Sequence, residues 1–153
     1  MLFRSGYHRG GCGTIRDVRI LQDGMTLGVR MDNCTYPAFG VNGGTCGATG
    51  AFILNPGSSD ERHLATMSEG HKLKTGDLLR IITPGGGGWG IPMERPVERV
   101  RDDVLDGFTS LERAREAYGV VFLPDGSDVD LDATRALRAS MPRPEKKIGR
   151  AHV

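Results

Sequence analysis

Thr83-Pro84-Gly85-Gly86-Gly87-Gly88-Trp89-Gly90-Ile91-Pro92 is the stretch whose reading decides the fold. Four consecutive glycines precede the only tryptophan in the chain. Glycine tolerates φ > 0 and admits other groups close to the backbone. Trp89 adds a large apolar body with one N–H that needs a partner. Such a loop is flexible by itself, so packing around Trp89 is expected to fix it. On this reading Trp89 is core, and its replacement by alanine costs about 3–5 kcal/mol. Sequence before the stretch reads as β structure, and sequence after it reads as helices.

Working upstream, Leu78-Leu79-Arg80-Ile81-Ile82-Thr83 is short, apolar and β-branched, and predicts a buried strand. Lys72-Leu73-Lys74-Thr75-Gly76-Asp77 places a turn before it. Residues 58–70 are polar and read as a surface excursion. Ala51 to Leu54 is a short strand, ended by Asn55-Pro56-Gly57. Residues 14–21 and 25–32 read as two further strands. In the second, Met25, Leu27, Val29 and Met31 alternate with Thr26, Gly28, Arg30 and Asp32, the period of a half-buried strand. Asp23-Gly24 between them predicts a hairpin, because its turn positions need φ > 0.

Two more glycine clusters lie in this half. Residues 40–50 include Gly43 and Gly44 and predict a tight structural crossover, although such a loop can also offer backbone N–H groups to an anion. No Gly-Lys-Ser/Thr follows, so it is not a phosphate-binding P-loop. Gly6-Tyr7-His8-Arg9-Gly10-Gly11-Cys12-Gly13 is an opening loop with Arg9 at its centre. Arg9 either holds a carboxylate or phosphate bidentately or pairs with an acidic side chain of the chain itself, and the structural role is favoured.

Downstream, Pro96 suits a first helical position. Val97, Val100 and Val104 recur at helical spacing, with Glu98, Arg99, Arg101, Asp102 and Asp103 read as outward-facing. Gly107 ends this helix. Thr109-Ser110-Leu111-Glu112 has the form of a capping box, and Leu111, Ala114 and Tyr118 share a face until Gly119. Val120 to Leu123 reads as a short strand, and Asp132 caps a last helix from Ala133 to Ser140. The fold class is therefore α+β: an antiparallel β-rich part with glycine-rich loops over 6–92, and a helical close of two to three short helices over 93–142. A polar tail follows at 143–153. The expected core is Leu27, Val29, Leu79, Ile81, Trp89, Val100, Val104, Leu111 and Tyr118.

Composition bounds the function. The chain has 153 residues and 38% hydrophobic content, brought into the normal globular range by its 23 glycines. A net charge of +1 gives no general electrostatic case for nucleic acid or anionic membrane. No apolar run approaches the roughly 20 residues that span a bilayer, and no apolar leader is present. Cys12, Cys34 and Cys46 form no CxxC pair, so a structural zinc site is not indicated even with His8, His63 and His71 as further donors. They read as free thiols in a reducing cytoplasm. Gly85, Gly87 and Gly90 match GxGxxG formally. However, Ile91-Pro92 follows where a helix should open and no βαβ unit surrounds the match, so a nucleotide-binding module is a minor alternative.

Both termini look foreign. Leu2-Phe3-Arg4-Ser5 and Ile148-Gly149-Arg150-Ala151-His152-Val153 match translations of a common sequencing-library adapter. The expectation is a reading frame lying between two adapters, a fragment of a longer gene in which residues 1–5 and 148–153 carry no fold or function.

From Gly6 to about Ser140 the chain resembles the C-terminal part of the hydantoinase B/oxoprolinase family. Arg9-Gly10-Gly11-Cys12-Gly13 looks like its RGG-x-G opening, and Gly40-Val41-Asn42-Gly43-Gly44 like its second glycine element. Leu73-Lys74-Thr75-Gly76-Asp77 looks like its LKxGD turn, and Thr83 to Gly90 like its TPGGGG-aromatic-G signature. Arg95 to Phe122 resembles its helical close. Ile91 departs from the aspartate usual after the aromatic-glycine pair. The resemblance implies a subunit that opens cyclic amides such as hydantoins or 5-oxoproline with ATP hydrolysis, beside relatives that carboxylate ketones. It implies ATP and a divalent metal for the whole enzyme, with neither bound to this segment. The implied partners are the missing N-terminal part of the same subunit and an ATP-binding hydantoinase A-type subunit. A freestanding non-catalytic assembly subunit is the alternative. No catalytic or metal residue is carried over, because no nucleophile–base pair stands at convincing spacing. Binding or loop-shaping roles fall to Arg9, Gly10, Gly11, Gly43, Gly44, Gly85, Gly86, Gly87, Gly88 and Trp89.

Overall fold

A computed structural model describes residues 5–143; of the adapter-like residues 1–5 and 148–153 only Ser5 lies among them, and it is buried rather than idle. Six strands precede three helices: β1 Ile15–Arg19, β2 Met25–Val29, β3 Ala51–Leu54, β4 Arg62–Leu64, β5 Ser68–Leu73, β6 Leu78–Ile82, α1 Val97–Leu105, α2 Leu111–Tyr118 and α3 Leu131–Ser140. A 3-10 turn, Pro92–Glu94, joins the two halves. All strand pairing is antiparallel, in a four-stranded sheet of order β1-β6-β3-β4 and a two-stranded sheet of β2 and β5. The fold is α+β, as the sequence predicts.

Inside the β half, Ile20, Val29, Phe52, Leu54, Leu64, Leu73 and Leu79 form one core, with Leu27, Met31 and Ile81 against it. Alternation along β3 explains the inner face, since Phe52 and Leu54 are buried while Ala51 and Ile53 are half-exposed. The helices make a second core from Val100, Ala114, Tyr118 and Val120.

The expected hairpin at Asp23-Gly24 is not formed. Gly24 does turn, at φ 77°, but β1 pairs with β6 and β2 with β5. The reason lies in the 74–77 turn. Asp23 Oδ1 accepts from the Thr75 N–H at 2.7 Å, and Ile20 exchanges backbone bonds with Gly76 and Asp77. The two turns clasp, and each sends its flanking strands to different sheets. The surface excursion at 58–70 likewise hides β4 and the start of β5, whose polar sequences form strands because their backbones complete β3 and β2.

Asp77 secures the clasp. It is buried, and its carboxylate accepts from the Lys74 N–H at 2.9 Å and from Asn55 Nδ2 at 3.0 Å. Those two bonds, the Lys74 one foremost, hold its carboxyl below the usual aspartate value. A depressed folded-state pKa contributes stability that is present above the unfolded value and is lost as pH falls through the folded one. Urea midpoints of the wild type should therefore fall steadily as pH drops below about 4. In Asp77→Asn that acid-side loss should be smaller, and an unchanged acid slope would refute the assignment.

The helix ends follow local chemistry with small shifts. Ser110, not Thr109, caps α2, accepting from the Arg113 N–H at 3.2 Å, because the Thr109 backbone is already tied to the Asp103 carbonyl at 3.0 Å. Gly119 ends α2 in the left-handed region at φ 63°. Asp130 rather than Asp132 caps α3, accepting from Ala133 N at 2.9 Å. Val120 to Leu123 contributes only a bridge between Phe122 and Val129.

Candidate functional site

Three glycine-bearing segments, around residues 5–11, 38–48 and 84–90, meet in one stack. Trp89 exchanges both backbone bonds with His8, each 2.9 Å. On the other side Val41 donates to Gly88 O and accepts from Gly90 N, both 2.9 Å. Thr45 closes the third side, donating to Ser5 O and accepting from Gly88 N at 2.9 Å each. Ser5 itself is buried, with its N–H 2.8 Å from Thr45 Oγ1.

The glycines of this stack are needed for close approach. A Cβ on Gly10 would strike the carbonyl of Gly86, and one on Gly44 the carbonyl of Gly88. A Cβ on Gly87 would meet Phe39 O, and one on Gly88 would meet Ser5 O. None of these four has a positive φ. Gly86 is different, since its Cβ would find Gly11 N at an ordinary 3.5 Å. Gly11 has open space, and its carbonyl accepts from Gly86 N at 3.4 Å. Gly85 donates to Ala48 O at 2.9 Å. Gly43 stands apart as a turn residue. It and Asn42 both have positive φ, and Gly44 N returns to Val41 O at 3.0 Å, the requirement of a type I′ turn.

This geometry counts against a phosphate cradle at residues 85–90. The N–H groups of Gly85, Gly86, Gly88, Trp89 and Gly90 all donate to backbone carbonyls. A phosphate cradle needs such groups free and pointing at the ligand.

Trp89 is not core. The residue is 48% exposed, and its ring lies 5.6 Å from the His8 ring between centroids. The backbone of Trp89 is the buried, paired part, and the indole stands on the outer face of the stack. Trp89→Ala is therefore expected to lower stability by about 1–2 kcal/mol, less than a fully buried tryptophan would; a loss above about 3 kcal/mol on urea titration would contradict this placement. Leu111 is also exposed at 47%, being the first residue of α2 and ahead of the face that Ala114 and Tyr118 bury.

Beside the stack lies the main cluster of buried charge. Arg9 Nε donates to Asp103 Oδ1 at 3.0 Å, and Arg95 Nη2 donates to Asp103 Oδ2 at 2.8 Å. Arg95 Nη1 reaches Tyr7 O at 2.8 Å, so this arginine ties the opening loop to α1. Arg138 of α3 donates to the carbonyls of Tyr118 and Arg95, both at 2.9 Å. Burial lowers the pKa of Arg138 and raises that of the Tyr118 phenol, with Arg95 opposing the latter. The guanidinium of Arg9 lies 4.3 Å from the Phe108 ring centroid, and its Nη1 contacts Cys12 Sγ at 3.2 Å.

Asp103 thus corrects the reading of α1, where it counted as an outward charge. It follows Val100 by three residues and shares its buried face, and that spacing was the available signal. Arg95 had no local signal, because its partners sit at residues 7 and 103. Among the described residues no group of three His, Cys, Asp or Glu side chains could hold a metal ion, and none of the helices is long and apolar enough to cross a membrane.

The described residues thus form an α+β segment organised on a backbone-only glycine stack, with an arginine–aspartate clasp joining sheet half to helical half. Residues 5–92 match the family described as Hydantoinase B/oxoprolinase, and the chain belongs to that family. It is 34% identical over 134 residues to the B-type polypeptide of a putative D-/L-hydantoinase from a Pseudomonas strain, covering 87% of this chain and 22% of that protein. It is 34% identical over 146 residues to the beta polypeptide of the Pseudomonas jessenii caprolactamase, covering 89% of this chain and 24% of that one. The ATP-dependent caprolactamase crystal structure from the same organism matches with a TM-score of 0.71 and 26% identity, over 92% of this chain and 25% of that chain. A nucleotide-free acetone carboxylase structure shares the fold, with a TM-score of 0.66 at 24% identity, over 89% of this chain and 22% of that chain. The chain thus spans about a quarter of the length of these relatives.

Proposed function

We propose that this chain serves as the C-terminal segment of a subunit in an enzyme that hydrolyses cyclic amides with ATP, and that its role there is structural and interfacial. The observation that supports this reading is the joint likeness, in sequence and in fold, to the beta polypeptide of an ATP-dependent caprolactamase. An unactivated lactam is a poor electrophile. Phosphorylating its oxygen creates a leaving group, after which water attacks, and that sequence needs ATP and a divalent metal elsewhere in the enzyme. The described residues supply a packed stack and a charge clasp, and this reading assigns the chemistry to the remainder of the subunit and to an ATP-binding hydantoinase A-type partner in the cytoplasm.

The test is a chimera in which this chain replaces the matching quarter of the caprolactamase beta polypeptide, assembled with its partner. The chimera should assemble and open a lactam with ATP, while the 153-residue chain alone turns over nothing. Lactam hydrolysis by the chain alone, or a chimera that cannot assemble, would overturn the proposal.

A further inference from the structure

We propose that the outer end of the Arg9 guanidinium is a binding site for a small oxyanion, a carboxylate or phosphate group, open to solvent at the seam between the glycine stack and α1. The buried cluster sets two guanidiniums, Arg9 and Arg95, against one carboxylate, Asp103. Both oxygens of that carboxylate are taken, Oδ1 by Arg9 and Oδ2 by Arg95. No second carboxylate among the described residues forms an ion pair with either guanidinium, so the pair of arginines carries one positive charge more than Asp103 offsets. Burying an uncompensated charge is costly unless an opposite charge meets it.

The side-chain exposures say where that counter-charge enters. Arg95 and Asp103 are 9% and 10% exposed, whereas Arg9 is 28% exposed. Arg9 spends Nε on Asp103 and one face on Phe108. Its remaining donors have one partner among the described residues, Cys12 Sγ at 3.2 Å, and a sulfur is a weak acceptor. The Nη1/Nη2 end is thus left for an oxyanion, with the paired N–H geometry that planar oxyanions fit. Asp103 and Phe108 already hold the fork in place, so a ligand loses little to ordering it. Phe108, 41% exposed, gives an apolar surface beside the charge, which favours a carboxylate borne on a small apolar body over bare phosphate. The two roles open to Arg9 in the sequence therefore use different edges of one side chain. This site stands independently of the cyclic-amide reading.

The experiment is a titration of the full chain, labelled with ¹⁵N-arginine, with acetate, benzoate and phosphate at constant ionic strength, chloride serving as control. The Arg9 Nε–H resonance should shift saturably, and thermal stability should rise with ligand concentration. Benzoate binding more tightly than acetate and phosphate places the apolar body on Phe108; tighter phosphate binding overturns that preference. Arg9→Lys keeps the charge but loses the fork, and should weaken binding about tenfold. A shift that does not saturate, or that chloride reproduces, overturns the site in the wild-type protein without recourse to any variant. An unaltered affinity in folded Arg9→Lys overturns the role of the fork.

Discussion

Gly87→Ala is expected to leave the chain without a stable native state. The nearest atoms that the added Cβ would meet are all backbone: Phe39 O, Phe39 C at 2.5 Å and Gly40 N at 2.9 Å. Backbone cannot rotate away as a side-chain tip can. Relief requires the 38–48 segment to part from the 84–90 segment, which breaks the bonds between Val41 and both Gly88 and Gly90. Overpacking a side-chain core costs about 1–3 kcal/mol, and a clash with fixed backbone belongs above that range. A whole domain has only about 5–15 kcal/mol to lose. The neighbouring Gly86→Ala is the control. Its Cβ meets nothing closer than 3.5 Å and its φ is not positive, so it should change stability by no more than about 1 kcal/mol. Near-ultraviolet dichroism and urea midpoints measure both. Equal midpoints for the two variants would refute the backbone-contact account of the stack.

Asp103→Ala should cost about 3–5 kcal/mol, the range for breaking a buried ion pair by removing one partner. The loss is expected to be large because two arginines, not one, are stranded, and Arg95 is almost fully enclosed. The backbone bonds from Phe108 and Thr109 to the Asp103 carbonyl, 2.8 and 3.0 Å, survive the change, so helix fraying contributes little. Replacing both partners tests the cause. Asp103→Leu combined with Arg95→Met removes the charges together, and apolar replacements of buried ion pairs are often neutral. The double variant should be more stable than Asp103→Ala, read from urea midpoints; a double variant no more stable would assign the loss to packing instead of unpaired charge.

Much of this fold was legible along the chain. β3, β6, α1 and α2 lie within a residue or so of where periodicity and punctuation put them, since each carries its own apolar pattern and its own stop: Asn55 after β3, Gly107 after α1, Gly119 after α2. The glycine elements were legible as elements. What they do was not, because a glycine chosen for positive φ, such as Gly43, and one chosen for the absence of Cβ, such as Gly87, are the same letter. β4 and β5 were hidden for a related reason. Their sequences, Arg62-His63-Leu64 and Ser68-Glu69-Gly70-His71-Lys72-Leu73, carry little apolar pattern, and what makes them strands is a neighbouring backbone.

By itself the sequence determined the α+β class, the order of sheet then helices, the family, and the importance of Thr83 to Pro92. Those properties rest on local patterns and on short motifs that keep their order. Tertiary structure alone decided that Asp23-Gly24 joins two sheets instead of one hairpin, that the Trp89 ring stands outside while its backbone is enclosed, and that Arg9, Arg95 and Asp103 share one charge cluster. Each of these depends on contacts between residues far apart in the chain, such as Arg9 with Asp103 and Trp89 with His8 and Val41. Their free energy exists only once the segments have been brought together, and no local propensity encodes it.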